Sequence, residues 1–214
     1  MRWAVAILFL AQAVGIAGCT EPARKPRAAY LLIDAPRLRS AQAQAVVNYF
    51  LSALQPGESF GIACLGTGNF SDRDTIGSVS LDARPSLATQ QKRLLKKKFD
   101  EFTASPQPAG HLDIAGALLY AVAHLGETNA DERYVLILAN LGKELIPEPV
   151  KDFPLQMEGC RVIPLVVETG ELTGRQRAAA LKRLEAWEDW VEAGGGEWQV
   201  VNDLALLGTI FPGS

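Results

Sequence analysis

The chain is poor in cysteine and histidine and carries no large excess of charge. Three cysteines and two histidines stand among 214 residues, too few for a dense disulfide framework or for the clustered ligands of a structural zinc site. The formal net charge is −3; a mildly acidic chain is a poor match to a polyanionic backbone, which excludes nucleic acid as an expected partner. No internal repeat and no low-complexity tract is present. Phosphate-cradling loops are missing as well. Gly66-x-Gly68 lacks the third glycine and following helix of a dinucleotide fingerprint, and no Gly-x-x-x-x-Gly-Lys-Ser/Thr loop occurs, so no nucleotide cofactor is expected. The one Gly-x-Ser-x-Gly match, Gly57-Glu58-Ser59-Phe60-Gly61, opens the apolar run Ser59 to Leu65 and leads into a strand, not from a strand into a helix, so no nucleophile elbow is expected.

Long hydrophobic runs are also absent. The apolar stretch from Trp3 to Val14 follows a single basic residue, Arg2, and its length of about a dozen residues falls short of the roughly 20 a bilayer-spanning helix needs. It has the length of a signal-peptide core. The run Ile16-Ala17-Gly18-Cys19 then resembles the lipobox of bacterial lipoproteins. That resemblance implies cleavage before Cys19 and acylation of its sulfur and new amine, which would anchor the chain in a bilayer through several acyl chains. Thr20 stands where inner-membrane lipoproteins of double-membraned cells carry aspartate, so the periplasmic face of the outer membrane is the expected location. Residues 1–18 are then the signal, and residues 19–27 the lipidated cysteine and a tether. The segment from Thr20 to Arg27, with two prolines and Arg24, Lys25 and Arg27, is expected to be solvated and to reach about 26 Å at roughly 3.3 Å per residue.

Residues 28–214 hold enough apolar sequence for one core. Ala28 to Asp34, Ser59 to Leu65, Arg133 to Asn140 and Cys160 to Val167 are apolar runs of strand length, as buried parallel strands require. Thr75 to Leu81 is more polar and suits an edge, and Glu197 to Val201 gives a last strand. Helical spacing places Ala45, Val46, Tyr49, Phe50, Ala53 and Leu54 on one face after Ser40. It does the same for Leu87, Gln91, Leu95, Phe99 and Phe102 after an N-cap at Ser86. A third helix follows Asp113. A fourth covers Gly174 to Ala193, with Leu181, Leu184, Trp187 and Val191 inward, and Leu204 to Phe211 closes the chain. The expected class is α/β: a doubly wound, mostly parallel six-stranded sheet with an antiparallel edge strand and helices on both faces. Cys64 and Cys160 lie in separate strands and are expected to stay unpaired.

The succession Leu31-Leu32-Ile33-Asp34, Asp113-Ile114-Ala115-Gly116-Ala117-Leu118 and Leu136-Ile137-Leu138-Ala139-Asn140 resembles the von Willebrand factor type A domain. That family gathers a divalent cation on an Asp-x-Ser-x-Ser turn, a threonine and a second aspartate. The resemblance places those positions at Asp34, Pro36, Leu38, Leu112 and Asn140. Only Asp34 is retained. Magnesium prefers a near-octahedral shell of hard oxygens, and proline and leucine side chains supply none. The expectation is a degenerate adhesion site without metal, in which Asp34 and Asn140 bond each other or nearby backbone N–H groups.

These features favour a non-enzymatic, lipid-anchored module. It would bind a protein partner without a cation, through loops at the C-terminal ends of its strands, with Leu38 and Leu112 as apolar contact area. Two alternatives stay open: an envelope hydrolase using His111 and Asp113, and a structural lipoprotein. The acidic run Glu185, Glu188, Asp189 and Glu192 and the basic run Lys92, Arg93, Lys96 and Lys97 read as solvated helix faces.

Overall fold

The computed structural model describes residues 25–66, 70–105, 112–143, 146–147, 156–165 and 173–213; the lipobox with Cys19, and His111, lie outside them. Six strands form one sheet in the order β3-β2-β1-β4-β5-β6: β1 (Arg27–Asp34), β2 (Ser59–Leu65), β3 (Thr75–Ser80), β4 (Glu132–Leu138), β5 (Cys160–Pro164) and β6 (Glu197–Trp198). Only the β2–β3 pair is antiparallel, and β3 lies at the edge. The α/β class inferred from the sequence is therefore the class observed.

The central strands explain the continuous apolar runs. Every residue of β1 is buried, because successive side chains enter opposite layers and each layer is covered. Ala29, Leu31 and Ile33 pack into the layer of α1 (Ala41–Ala53), α2 (Pro85–Ala104) and α5 (Leu207–Ile210). Ala28, Tyr30 and Leu32 enter the layer of α3 (Ile114–Gly126) and α4 (Gly174–Ala193). Tyr30 needs space beside it: a Cβ on its strand neighbour Gly61 would lie 2.4 Å from the tyrosine ring. Cys64 and Cys160 fall in opposite layers, both buried and both free, so the sheet itself separates the two thiols. Burial pushes each up to about 12, which keeps them protonated at neutral pH.

Several local expectations change. Arg84, not Ser86, is the N-cap residue of α2, and Pro85 takes the first turn, where its missing N–H costs nothing. On α4 the buried set is Ala180, Leu184, Trp187, Trp190 and Val191, while Leu181 is 48% exposed. The small Ala180 meets the turn Leu141–Lys143 so closely that a Cβ on Gly142 would lie 2.9 Å from it. That approach turns position 180 inward and leaves Leu181 outside. β6 spans two residues, and its line continues through an isolated bridge between Leu165 and Val201.

Arg27 is the largest departure. It does not end a solvated tether; it opens β1 and is 1% exposed. Its Nε and Nη2 donate to the two carboxylate oxygens of Glu58 at 2.6 and 3.0 Å, and Nη1 donates to the Pro212 carbonyl at 2.8 Å. The guanidinium carbon lies 3.8 Å from the centre of the Phe211 ring. A buried charge needs this density of partners to offset lost hydration.

Candidate functional site

The winding of the sheet reverses between β1 and β4, so their C-terminal ends flank the crevice where open α/β sheets gather ligands. Asp34 and Asn140 sit there because β1 and β4 run parallel and in register, with Ile33 opposite Leu138.

Asp34 is 6% exposed and caps a short 3-10 turn, Ala35–Arg37. Oδ1 accepts the Arg37 backbone N–H at 3.2 Å, and Oδ2 accepts the Arg37 Nε at 3.1 Å. Of the two arrangements expected for this carboxylate, the bond to a neighbouring backbone N–H is the one found, with a guanidinium added. Arg37 was not among the residues picked out from the sequence. The Asp-x-x-Arg spacing carried the signal, since a capping turn brings residue i+3 back over residue i.

Pro36 lies exposed on the outside of that turn. Leu38 is 1% exposed and packs into the α1/α2 layer, which corrects its expected role as contact area: the turn directs this side chain into the core, where a partner cannot reach it. Ser40 follows as the N-cap of α1, its Oγ accepting the Ala43 N–H at 3.1 Å. Arg39 stays exposed and donates from Nε to the Thr103 carbonyl at 2.8 Å, tying the turn to the end of α2.

Leu112 is half-buried against the α3/α4 layer. Asp113 next to it is occupied on both oxygens: Oδ1 caps α3 through the Gly116 N–H at 2.9 Å, and Oδ2 accepts the Phe70 N–H at 3.0 Å. A Cβ on Gly116 would lie 2.3 Å from that carboxylate, so only glycine permits the cap. Asn140 is half-buried before the Leu141–Lys143 turn, which Arg183 of α4 holds by donating Nη1 to the Gly142 carbonyl at 2.7 Å. Deeper in the sheet, burial and then the charges of Asp74 and Asp34 raise the Cys64 thiol.

These donors do not fit a divalent cation. Pro36, Leu38 and Leu112 offer no side-chain oxygen, Asn140 is neutral, and the one carboxylate already holds a cationic guanidinium at 3.1 Å. No group of three or more His, Cys, Asp or Glu side chains that could hold a metal occurs among the described residues. A cavity of about 580 Å³, lined by Leu119, Val122, Gly126, Arg133 and Cys160, opens at the other end of the strands, remote from Asp34 and Asp113.

No protein-family model matches the chain, and no curated protein matches it in sequence. Solved structures with a similar fold include a von Willebrand factor type A protein from Catenulispora acidiphila, at 11% identity and TM-score 0.47, covering 88% of this chain and 41% of that one. Another is the D319A mutant of the PilB minor pilin from Streptococcus sanguinis, at 12% identity and TM-score 0.51, covering 90% of this chain and 61% of that one. The chain thus spans less than two thirds of either protein. At such identities the likeness is one of fold: an α/β sheet in the order β3-β2-β1-β4-β5-β6 with a single antiparallel edge.

Proposed function

We propose that this is a non-enzymatic protein-binding module of a bacterial envelope lipoprotein, docking its partner at the C-terminal end of the sheet without a metal ion. The observation that supports this reading is the pairing of Asp34 with Arg37. A chain-borne cation occupies the carboxylate on which a divalent ion would otherwise depend, and it holds the loop in one shape. Loops set on a rigid sheet are a common place for recognition. With Leu38 in the core, the contact face consists of Pro36, Arg39, Phe70, Leu112 and Asn140, all at least partly exposed.

Two measurements test the reading. Calorimetric titration with Mg²⁺, Mn²⁺ and Ca²⁺ is expected to give no heat of binding; micromolar affinity that disappears in Asp34→Ala would overturn it. Photocrosslinking from position 36 in native envelopes is expected to trap a protein partner that Leu112→Asp releases. An unchanged adduct would remove these loops from the interface.

The anchor belongs to the same proposal. Acylated Cys19, following the lipobox-like run Ile16-Ala17-Gly18, would hold the domain at a bilayer, with the outer membrane favoured. Mass spectrometry of the processed chain is expected to show diacylglyceryl and acyl mass on Cys19, lost in Cys19→Ser. A processed chain of unmodified mass would end this part of the reading.

A further inference from the structure

The two lateral edges of the sheet carry opposite charge around exposed apolar side chains. At the β3 edge, a groove of about 380 Å³ between β3 and α2 is lined by Val79, Leu94, Lys97 and Lys98 among others. Leu94 is 54% exposed. Arg93, Lys97 and Lys98 project into solvent beside it; Lys97 meets Glu101 only at 3.6 Å, with both side chains well exposed. At the β6 edge, a groove of about 460 Å³ is lined by Leu181, Glu185, Glu188, Trp198 and Val200 among others. Leu181 is 48% and Val200 38% exposed. Glu185 and Glu188, with Asp189 and Glu192 along the same helix, form no ion pair among the described residues. Of the four exposed large hydrophobics among the described residues, Leu94, Leu181 and Val200 lie in these two grooves.

Charges on sheet edges ordinarily prevent edge-to-edge association, because equal edges repel one another. Here the edges differ in sign. A basic edge meeting a basic edge is disfavoured, and so is acidic against acidic. Basic against acidic is attractive and would cover leucine on both sides. We propose that the β3/α2 edge of one copy docks on the β6/α4 edge of a second copy. This is a heterologous contact, in which two different patches meet, so each added copy leaves one edge of each kind open. The faces used are lateral to the C-terminal loops, and the inference stands or falls independently of a partner at those loops.

Sedimentation velocity of the full-length processed chain in density-matched detergent tests the contact. The sedimentation coefficient is expected to rise with protein concentration at low salt and to fall back at high salt. Lys97→Glu with Lys98→Glu, and separately Glu185→Lys with Glu188→Lys, are each expected to weaken association by about tenfold or more. All four positions are on the surface, and an unchanged thermal melt verifies folding. An equimolar mixture of the two charge-reversed proteins is expected to associate again, because each now matches the other at both edges. A wild type that stays monomeric at every concentration overturns the proposal, even if it binds an acidic peptide at the β3 edge. So does association indifferent to both reversals, or a mixture that fails to recover.

Discussion

Strand β1 carries an arginine–carboxylate pair at each end, and the two differ in almost every respect. Arg27 and Glu58 are 31 residues apart in sequence, 1% and 4% exposed, and in contact at 2.6 Å. Asp34 and Arg37 are three residues apart, with side chains 9% and 16% exposed, and in contact at 3.1 Å. The first pair joins the start of β1 to β2, and Arg27 also reaches the carbonyls of Ala53 and Pro212, so it closes the fold at its N-terminal end. The second shapes a single turn. The lesson is that the same chemistry acts as a tertiary lock when buried across distant segments and as a local shape-setter at the rim.

The sharpest way to break the comparison is to cut each pair on one side. Glu58→Ala leaves the Arg27 charge buried without its main partner and is expected to cost about 3–5 kcal/mol, read from urea unfolding. Replacing both partners together, Arg27→Met with Glu58→Leu, is expected to recover much of that loss, because no uncompensated charge remains. If Glu58→Ala cost less than Asp34→Ala, the assignment of lock and local cap would be reversed.

A second test asks whether the interior is dry towards both ends. Burial raises Cys64, near the C-terminal end of β2, and Cys160, at the start of β5, from 9.0 to about 12; Tyr30 and Tyr134 are raised from 10.0 to about 12, mainly by burial. All four titrate more readily in the unfolded chain. Their contribution to stability is therefore intact below about pH 9 and is lost as the pH climbs towards 12. The urea midpoint is expected to be flat from neutrality to about pH 9 and to fall above it, with Cys64→Ala and Cys160→Ala each flattening the fall.

At the rim the expected effects are smaller. Asp34→Ala removes a cap and a largely buried pair and should cost about 0.5–2 kcal/mol. Arg37→Ala should cost less than about 1 kcal/mol and should create no measurable Mg²⁺ affinity, since the missing hydroxyl ligands are not restored. Magnesium binding by Arg37→Ala would show that the guanidinium alone had been excluding the ion. The smallest change is expected at Arg133, whose buried Nε has no hydrogen-bond partner among the described residues. Arg133→Met should leave thermal stability unchanged or slightly higher.

Much of the fold is legible in the residue pattern alone. The runs around Leu31-Leu32-Ile33 and Leu136-Ile137-Leu138 could only be strands covered on both faces, and the weaker Thr75–Leu81 run marked the edge. The helix over Gly174–Ala193 has the bounds that its glycines and spacing indicated. Its inward face includes Ala180 and not Leu181, because the choice between neighbouring faces depends on how closely the Gly142 turn approaches Ala180. At the candidate site, the positions lacking oxygen could be read directly from Pro36, Leu38 and Leu112. The partner of Asp34 is only hinted at by the Asp-x-x-Arg spacing, since the pairing also requires that the chain turn back within three residues, which the capping turn decides.

Sequence by itself determined the strand and helix pattern, the alternation that demands two covering layers, and the loss of hard donors at the crevice, because these follow from residue chemistry and near-neighbour spacing. Tertiary structure alone decided that Arg27 is buried on Glu58, that Leu38 faces the core, that the two thiols lie on opposite sides of the sheet, and that the lateral edges oppose one another in charge. Each of those facts joins segments distant along the chain. Such meetings are fixed by the order in which strands pair, which no local window of residues encodes.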